Sequence, residues 1–368
     1  MPAAAAVAVG VMALGALAPS AAFAASRPDT VQQGLNALVA DDGLPAALAS
    51  VTERGGWTRT YTAGVGDLAT GSPVPRDGQV RIGSNTKVFT AVVVLQLVGE
   101  GRIRLDAPVE TYLPGVVRGE GIDGRHIKVR ELLQQTSGLP NYSNYLDDEV
   151  RHYEPEELLG IALQHKSEFA PGSRWKYSNT NYVLAGLIAQ KVTGRPLAQE
   201  IDERIVKRIG LRHTYFPAPG DVTIREPHPT GYYRDSAGAP PQDVTEFDPS
   251  WAWAAGQMIS TNSDLNRFFS ELLTGNLLKP AQRAQMRANT VPADETFGPG
   301  ARYGLGIVSK PLSCGGLYWG HGGSYPGYET RGGATVGGRA ANVAVSMQLS
   351  DEATRGRVDR VVDAALCR

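Results

Sequence analysis

Cysteine is scarce in this chain, and an excess of either charge is absent. Only Cys314 and Cys367 occur among 368 residues, and the six histidines are scattered without ligand spacing. A His/Cys metal centre therefore has no basis in the sequence. The formal charge is −1, with no long run of either sign. That removes the electrostatic footprint of a nucleic-acid binder and of a protein drawn to an anionic membrane surface. No internal repeat is present, and the only biased tract is at the start of the chain.

That tract is informative. Residues 3–18 are almost wholly apolar, Pro19-Ser20 follows, and Ala22-Phe23-Ala24 has the small-x-small form of a cleavage site. The pattern predicts a signal peptide over residues 1–24 and a secreted chain from 25 to 368, with no stable membrane insertion after cleavage. No Lys or Arg precedes the apolar run, and an uncleaved anchor is the competing reading, although the run is short for a span. In an exported protein an isolated cysteine pair tends to form a disulfide. Here it would tie the C-terminal end to the strand region near Leu312; two unrelated buried thiols are the alternative.

The whole chain is 42% hydrophobic, enough for a sizeable core. Helical spacing is found at 31–39, 84–98, 130–135, 181–192, 264–273 and 355–366, and strand patterns at 46–52, 57–62, 317–319, 328–336 and 342–349. Strands thus lie at both ends and helices between them. The expected architecture is one antiparallel sheet built from residues 25–95 and 275–368, flanked by helices, with a mostly helical region at 96–274 inserted. Residues 217–249, rich in Pro, Gly and Asp, read as loop.

Three short segments carry chemistry. In Gly83-Ser84-Asn85-Thr86-Lys87, a serine at a helix start has a lysine one turn on, on the same face. A serine hydroxyl needs a base, and a buried lysine can lose its proton near neutral pH. Ser-x-x-Lys alone is a common pattern, equally readable as an N-cap and a surface lysine. Tyr177-Ser178-Asn179 offers a phenol that can carry protons beside a lysine and an amide that can hold a substrate carbonyl and the lysine together; alone it reads as a turn before a helix. Gly320-His321-Gly322-Gly323-Ser324 follows a strand, and its glycines allow close approach of a substrate backbone. Backbone N–H groups of Ser84 and Ser324 could form an oxyanion hole.

Together, the order and contexts of these segments match the three-motif signature of penicillin-recognising serine enzymes. The sequence resembles the branch of the penicillin-binding superfamily that holds class C β-lactamases, D-aminopeptidases, esterases and soluble D-alanyl-D-alanine carboxypeptidases. The initial His of the third motif is most similar to the secreted carboxypeptidases, as are residues 80–84, 132–139, 169–182 and 251–260, and the cysteine strand 312–314 with 364–367. The resemblance covers the chain from about residue 30 to the end.

The resemblance implies an α/β (α+β) fold of the β-lactamase/DD-peptidase type, a bridge between Cys314 and Cys367, and a reaction that needs no metal or organic cofactor. It makes Ser84, Lys87, Tyr177 and His321 the catalytic set, with His321 closing a hydrogen-bond network opposite Tyr177. Ser84 and Ser324 would supply the oxyanion hole, and Asn179, Trp251 and Ser324 would bind substrate, Trp251 as an aromatic wall or else as core beside Trp253. The implied activity is a D-alanyl-D-alanine carboxypeptidase or transpeptidase on peptidoglycan-type peptides, acting as a monomer on a peptide or small-molecule substrate and acylated by β-lactams. An esterase, a D-amino-acid amidase or a class C-like β-lactamase would use the same residues, and a non-catalytic penicillin-binding module is the reading from another class. Two positions depart from the carboxypeptidases: Gly322 stands where they carry Thr, and Val308 near where they carry a carboxylate-binding Arg, with Lys310 two residues on.

Overall fold

The computed structural model describes residues 1–6, 8, 10, 29–147, 151–236, 238–349 and 351–368. The predicted leader and its cleavage site near Ala24 lie mostly outside the described residues. No helix among the described residues is long and apolar enough to cross a membrane.

The elements that build the site are few. In chain order the helices are α1 (Thr30–Ala40), α2 (Thr86–Gly99), α3 (Thr180–Thr193), α4 (Asn262–Thr274) and α5 (Glu352–Leu366). The strands are β1 (Ala46–Thr52), β2 (Thr58–Gly64), β3 (Val308–Pro311), β4 (Leu317–Gly320), β5 (Gly323–Tyr325), β6 (Tyr328–Thr335) and β7 (Ala340–Val345). They form one sheet in the order β2-β1-β7-β6-β4-β3, continued by the short strands Arg302–Tyr303 and Val291–Pro292, while β5 pairs with β6. Every ladder in this sheet is antiparallel. The two ends of the chain meet at its centre, where Ala47 of β1 faces Val345 of β7 and Thr52 faces Ala340. The expected sheet from both termini, with helices around it, is the observed one.

Each face of the sheet has its own core. On one side α1 and α5 bury Val31, Leu35, Leu38, Val358, Val361 and Val362 against β1 and β7. Asp29 caps α1, accepting from the Val31 and Gln32 amides, so the helix begins one residue before the apolar pattern does. On the other side lie α4 and the helical region. Asn266 of α4 donates to the Ser50 carbonyl at 2.8 Å and accepts from Asn342, polar contacts that pin the helix across β1 and β7.

Helix α2 differs from the sequence-based reading. Its apolar spacing suggested one buried face, yet every residue from 86 to 97 is buried. A helix apolar on all sides belongs in the middle of a core, and here Phe89 stacks on Phe268 of α4 at 3.8 Å between ring centres. The disulfide joins Cys314, in the turn between β3 and β4, to Cys367 after α5, with Cα atoms 5.6 Å apart. It ties the last helix to the strands that carry the third motif.

Candidate active site

Ser84 does not open α2. It sits in a separate 3₁₀ turn, Gly83–Asn85, from which the helix continues at Thr86. Gly83 has φ +48°, and a Cβ there would lie 2.7 Å from the Ser324 carbonyl oxygen and 2.9 Å from its nitrogen. Only glycine lets this turn lie directly on β5. Asn85 secures the contact, donating to the Ile82 carbonyl and to Thr330 Oγ1 of β6 at 2.8 Å. The backbones of Ser84 and Ser324 are thereby brought side by side, as an oxyanion hole requires.

Lys87 is buried, with Nζ 3.0 Å from Ser84 Oγ and 2.7 Å from the Ala255 carbonyl that accepts its N–H. Among the described residues no carboxylate pairs with it, and burial alone pushes the ammonium well below its ordinary range. Nζ donates to both the Ser84 hydroxyl and the Ala255 carbonyl, and a lysine that has lost one proton can keep the Ala255 bond while accepting the serine proton. The expected hold on Lys87 by the Asn179 amide is not seen. Asn179 donates instead to Ser143 Oγ at 3.4 Å, because its backbone N–H is fixed by the Asn141 side chain at 3.0 Å.

Tyr177 lies above this pair, with Lys87 Nζ 4.8 Å from the centre of its ring and 5.7 Å from that of Tyr182. The ring edge reaches the surface but the hydroxyl is buried, without a hydrogen bond of good geometry. Burial and the neighbouring Tyr303 push the phenol well up, opposed by the Ser84 hydroxyl. The resting tyrosine is a phenol, not the phenolate that proximity to a charged lysine would give.

His321 is also buried, and burial pushes it down to about 3, so it is neutral. It does not close a network onto Tyr177. Its Nδ1 is 2.5 Å from the Gly322 carbonyl and its Nε2 3.3 Å from Tyr303 Oη, while Phe297 packs edge-on at 5.1 Å. Those neighbours turn the imidazole away from the tyrosine hydroxyl, leaving the two rings 6.3 Å apart. Tyr303 and Phe297 were missed in the sequence because neither lies in a motif or a long periodic element.

Ser324 is exposed on β5, and its hydroxyl accepts from Gln348 at 3.2 Å. Trp251 packs against Tyr325, 5.6 Å between rings, next to Ser324. Trp253 instead meets α3 at Gly186. Both tryptophans are half-buried and pack against the main core.

The two departures from the carboxypeptidase pattern have structural counterparts. A Cβ on Gly322 would come within 2.6 Å of Arg331 Nη1, so Arg331 of β6 occupies the space a threonine would use. Val308 is buried and paired with Gly320, and Lys310 is held by Asp359 at 2.7 Å. Arg331 ion-pairs with Glu329 and lies 4.0 Å from Asp359. The cavity between this cluster and His321 measures only about 20 Å³, room for a water. Neither expected carboxylate ligand is presented to the cleft. Among the described residues no cluster of His, Cys, Asp and Glu could hold a metal ion.

A serine hydroxyl against a desolvated amine, beneath a buried phenol and beside a strand edge, is the arrangement of a serine hydrolase. Residues 31–366 match the Beta-lactamase family, and the chain belongs to this family of serine hydrolases, in the superfamily shared with penicillin-binding proteins. A D-stereospecific amidohydrolase from Streptomyces sp. superposes with a TM-score of 0.81 at 39% identity, covering 90% of this chain and 97% of that one. The esterase EstB of Burkholderia gladioli is 28% identical over 321 residues, 75% of this chain and 80% of that protein. The protein flp of Staphylococcus aureus (strain MW2) is 31% identical over 197 residues, 51% of this chain but only 37% of flp.

Proposed function

We propose that this protein hydrolyses D-aminoacyl amides and esters through an acyl-enzyme on Ser84. Neutral Lys87 takes the Ser84 proton as Oγ attacks the carbonyl carbon, and the resulting ammonium is received by the faces of Tyr177 and Tyr182. The N–H groups of Ser84 and Ser324 hold the oxyanion. The Tyr177 phenol gives its proton to the departing nitrogen and regains one from Lys87, and water then releases the acyl group by the reverse path. Asn179 and Trp251 border the acyl group. Neutral His321 keeps the third motif in place. Export is part of this proposal, supported by the leader pattern and the disulfide.

The observation that favours an amide or ester over a free acid is the loss of carboxylate ligands at Gly322 and Val308. A buried hydroxyl or cation dedicated to the substrate's carboxylate would discriminate strongly for it, and here Arg331 and Lys310 are already paired. The D-stereospecific amidohydrolase and the esterase among its relatives support the same choice. The exposed Ser324 hydroxyl favours a second reading, a carboxypeptidase for peptides ending in D-Ala-D-Ala. A panel of a D-phenylalanine amide, a p-nitrophenyl ester and a D-Ala-D-Ala peptide separates them. We expect turnover of the first two to exceed the peptide at least tenfold in kcat/KM, and the reverse ranking would establish the second reading. Penicillin should add its mass to Ser84.

A further inference from the structure

Gln135 has a backbone that its residue type rarely adopts. Its φ is +65°, in the left-handed region that favours glycine, and it is fully buried. A side chain kept there must be held by what it contacts. Its carbonyl oxygen accepts the Lys176 N–H at 3.0 Å. Its side-chain Oε1 accepts the Ser178 N–H at 3.0 Å and Asn181 Nδ2 at 2.6 Å. One residue therefore grips the chain on both sides of Tyr177. Its remaining group, Nε2, is buried without a hydrogen bond of good geometry, and its amide lies close enough to Tyr303 to oppose the burial that pushes that phenol up. Tyr303 in turn meets His321.

We infer that Gln135 is the positioning residue that sets Tyr177 over Ser84 and links the second motif to the third through Tyr303. The inference rests on the reading of Tyr177 as the donor to the leaving group. Among the described residues Gln135 makes no hydrogen bond to Ser84 or Lys87, so its effect is on where the phenol stands. The left-handed backbone turns both the carbonyl oxygen and the side-chain oxygen toward the same segment. A residue there with a helical backbone could not be expected to reach Lys176 and Ser178 at once. The neighbouring loop reinforces the grip, since Ser178 Oγ and Thr180 Oγ1 both donate to the Pro140 carbonyl.

The test uses two substrates with one acyl group, a p-nitroanilide and a p-nitrophenyl ester. The anilide needs a proton on its leaving nitrogen, and p-nitrophenolate leaves without one. In the full chain, Gln135→Asn, which tolerates the left-handed backbone, should lower kcat for the anilide by about ten- to a hundredfold, part of a general acid's full contribution of about 10²–10⁴. The ester should change less than threefold, and Tyr177→Phe should show the same split. Amide exchange at Lys176 and Ser178, read without turnover, should accelerate in Gln135→Asn and in Gln135→Gly. Equal losses on both substrates, or unchanged exchange at Ser178, would overturn the inference. A wild type silent on both substrates sinks the functional reading instead, and the exchange measurement then decides the role of Gln135.

Discussion

Two buried groups of ionisable side chains lie around the third motif, and they meet burial in opposite ways. On the cleft side Lys87, Tyr177 and His321 have no counter-charge among the described residues, and burial pushes each toward its neutral form. Behind Gly322, Arg331 is only partly buried, its side chain 18% exposed, and Glu329 and Asp359 outweigh the desolvation and hold its charge. Removing a charge from water is costly on both sides, and more so for the fully buried Lys87 than for Arg331. What differs is the partner. Desolvation without pairing makes a base of a lysine, and desolvation with pairing makes a fixed charged strut of an arginine.

Removing the amine should break the cleft side most. Lys87→Ala is expected to slow acylation of Ser84 by at least about 10³-fold, in line with the loss of an essential base; single-turnover kinetics would show it. The cluster behind Gly322 should answer in stability rather than in chemistry. Arg331→Met leaves Glu329 at 0% exposure and unpaired, which costs about 3–5 kcal/mol, read by denaturant unfolding. Adding Glu329→Gln should recover much of that loss, because no bare charge then remains.

The neutral groups predict two pH effects. Lys87 titrates lower in the folded chain than in the unfolded one, so the unfolded state binds more protons between the two values and stability rises with pH there. Lys87→Met should therefore stabilise the protein at pH 7, with the gain shrinking as pH climbs toward the ordinary lysine range. His321 behaves likewise between about 3 and its ordinary 6.5: its contribution to stability is complete above 6.5 and lost as pH falls to 3. His321→Gln should flatten that acid loss by up to a few kcal/mol. The least site-specific change, and the smallest in its effect on catalysis, is at the disulfide. Replacing Cys314 and Cys367 with Ser opens a loop 53 residues apart in sequence, a loss of at most about 4 kcal/mol, with kcat expected to stay within twofold.

Much of the sheet was legible because alternation and turns are local properties, and β1, β2, β4, β6 and β7 fall within a few residues of their patterns. The three motifs were legible for the same reason. What joins them was not. Nothing local in Gln135 marks a left-handed backbone, and residues 135–140 read as a helix end although they brace the second motif. Tyr303 reaches His321 across 18 positions from a two-residue strand. Gly322 was legible as a departure, but its meaning depends on Arg331, which only the pairing of β5 with β6 brings alongside. The downward shift of Lys87 likewise follows from α2 being buried all round, which apolar spacing alone did not convey.

The claim on which the rest depends is that Lys87 stands uncharged beside Ser84. The most direct measurement is the rate of Ser84 acylation by an activated p-nitrophenyl ester, followed by intact mass in single turnover from acid to alkaline pH. The proposed mechanism predicts a rate that rises through a midpoint far below 10.5 and is level at neutral pH. A rate still rising at neutral pH toward a midpoint near 10.5 would show a charged lysine in the resting site and would contradict it.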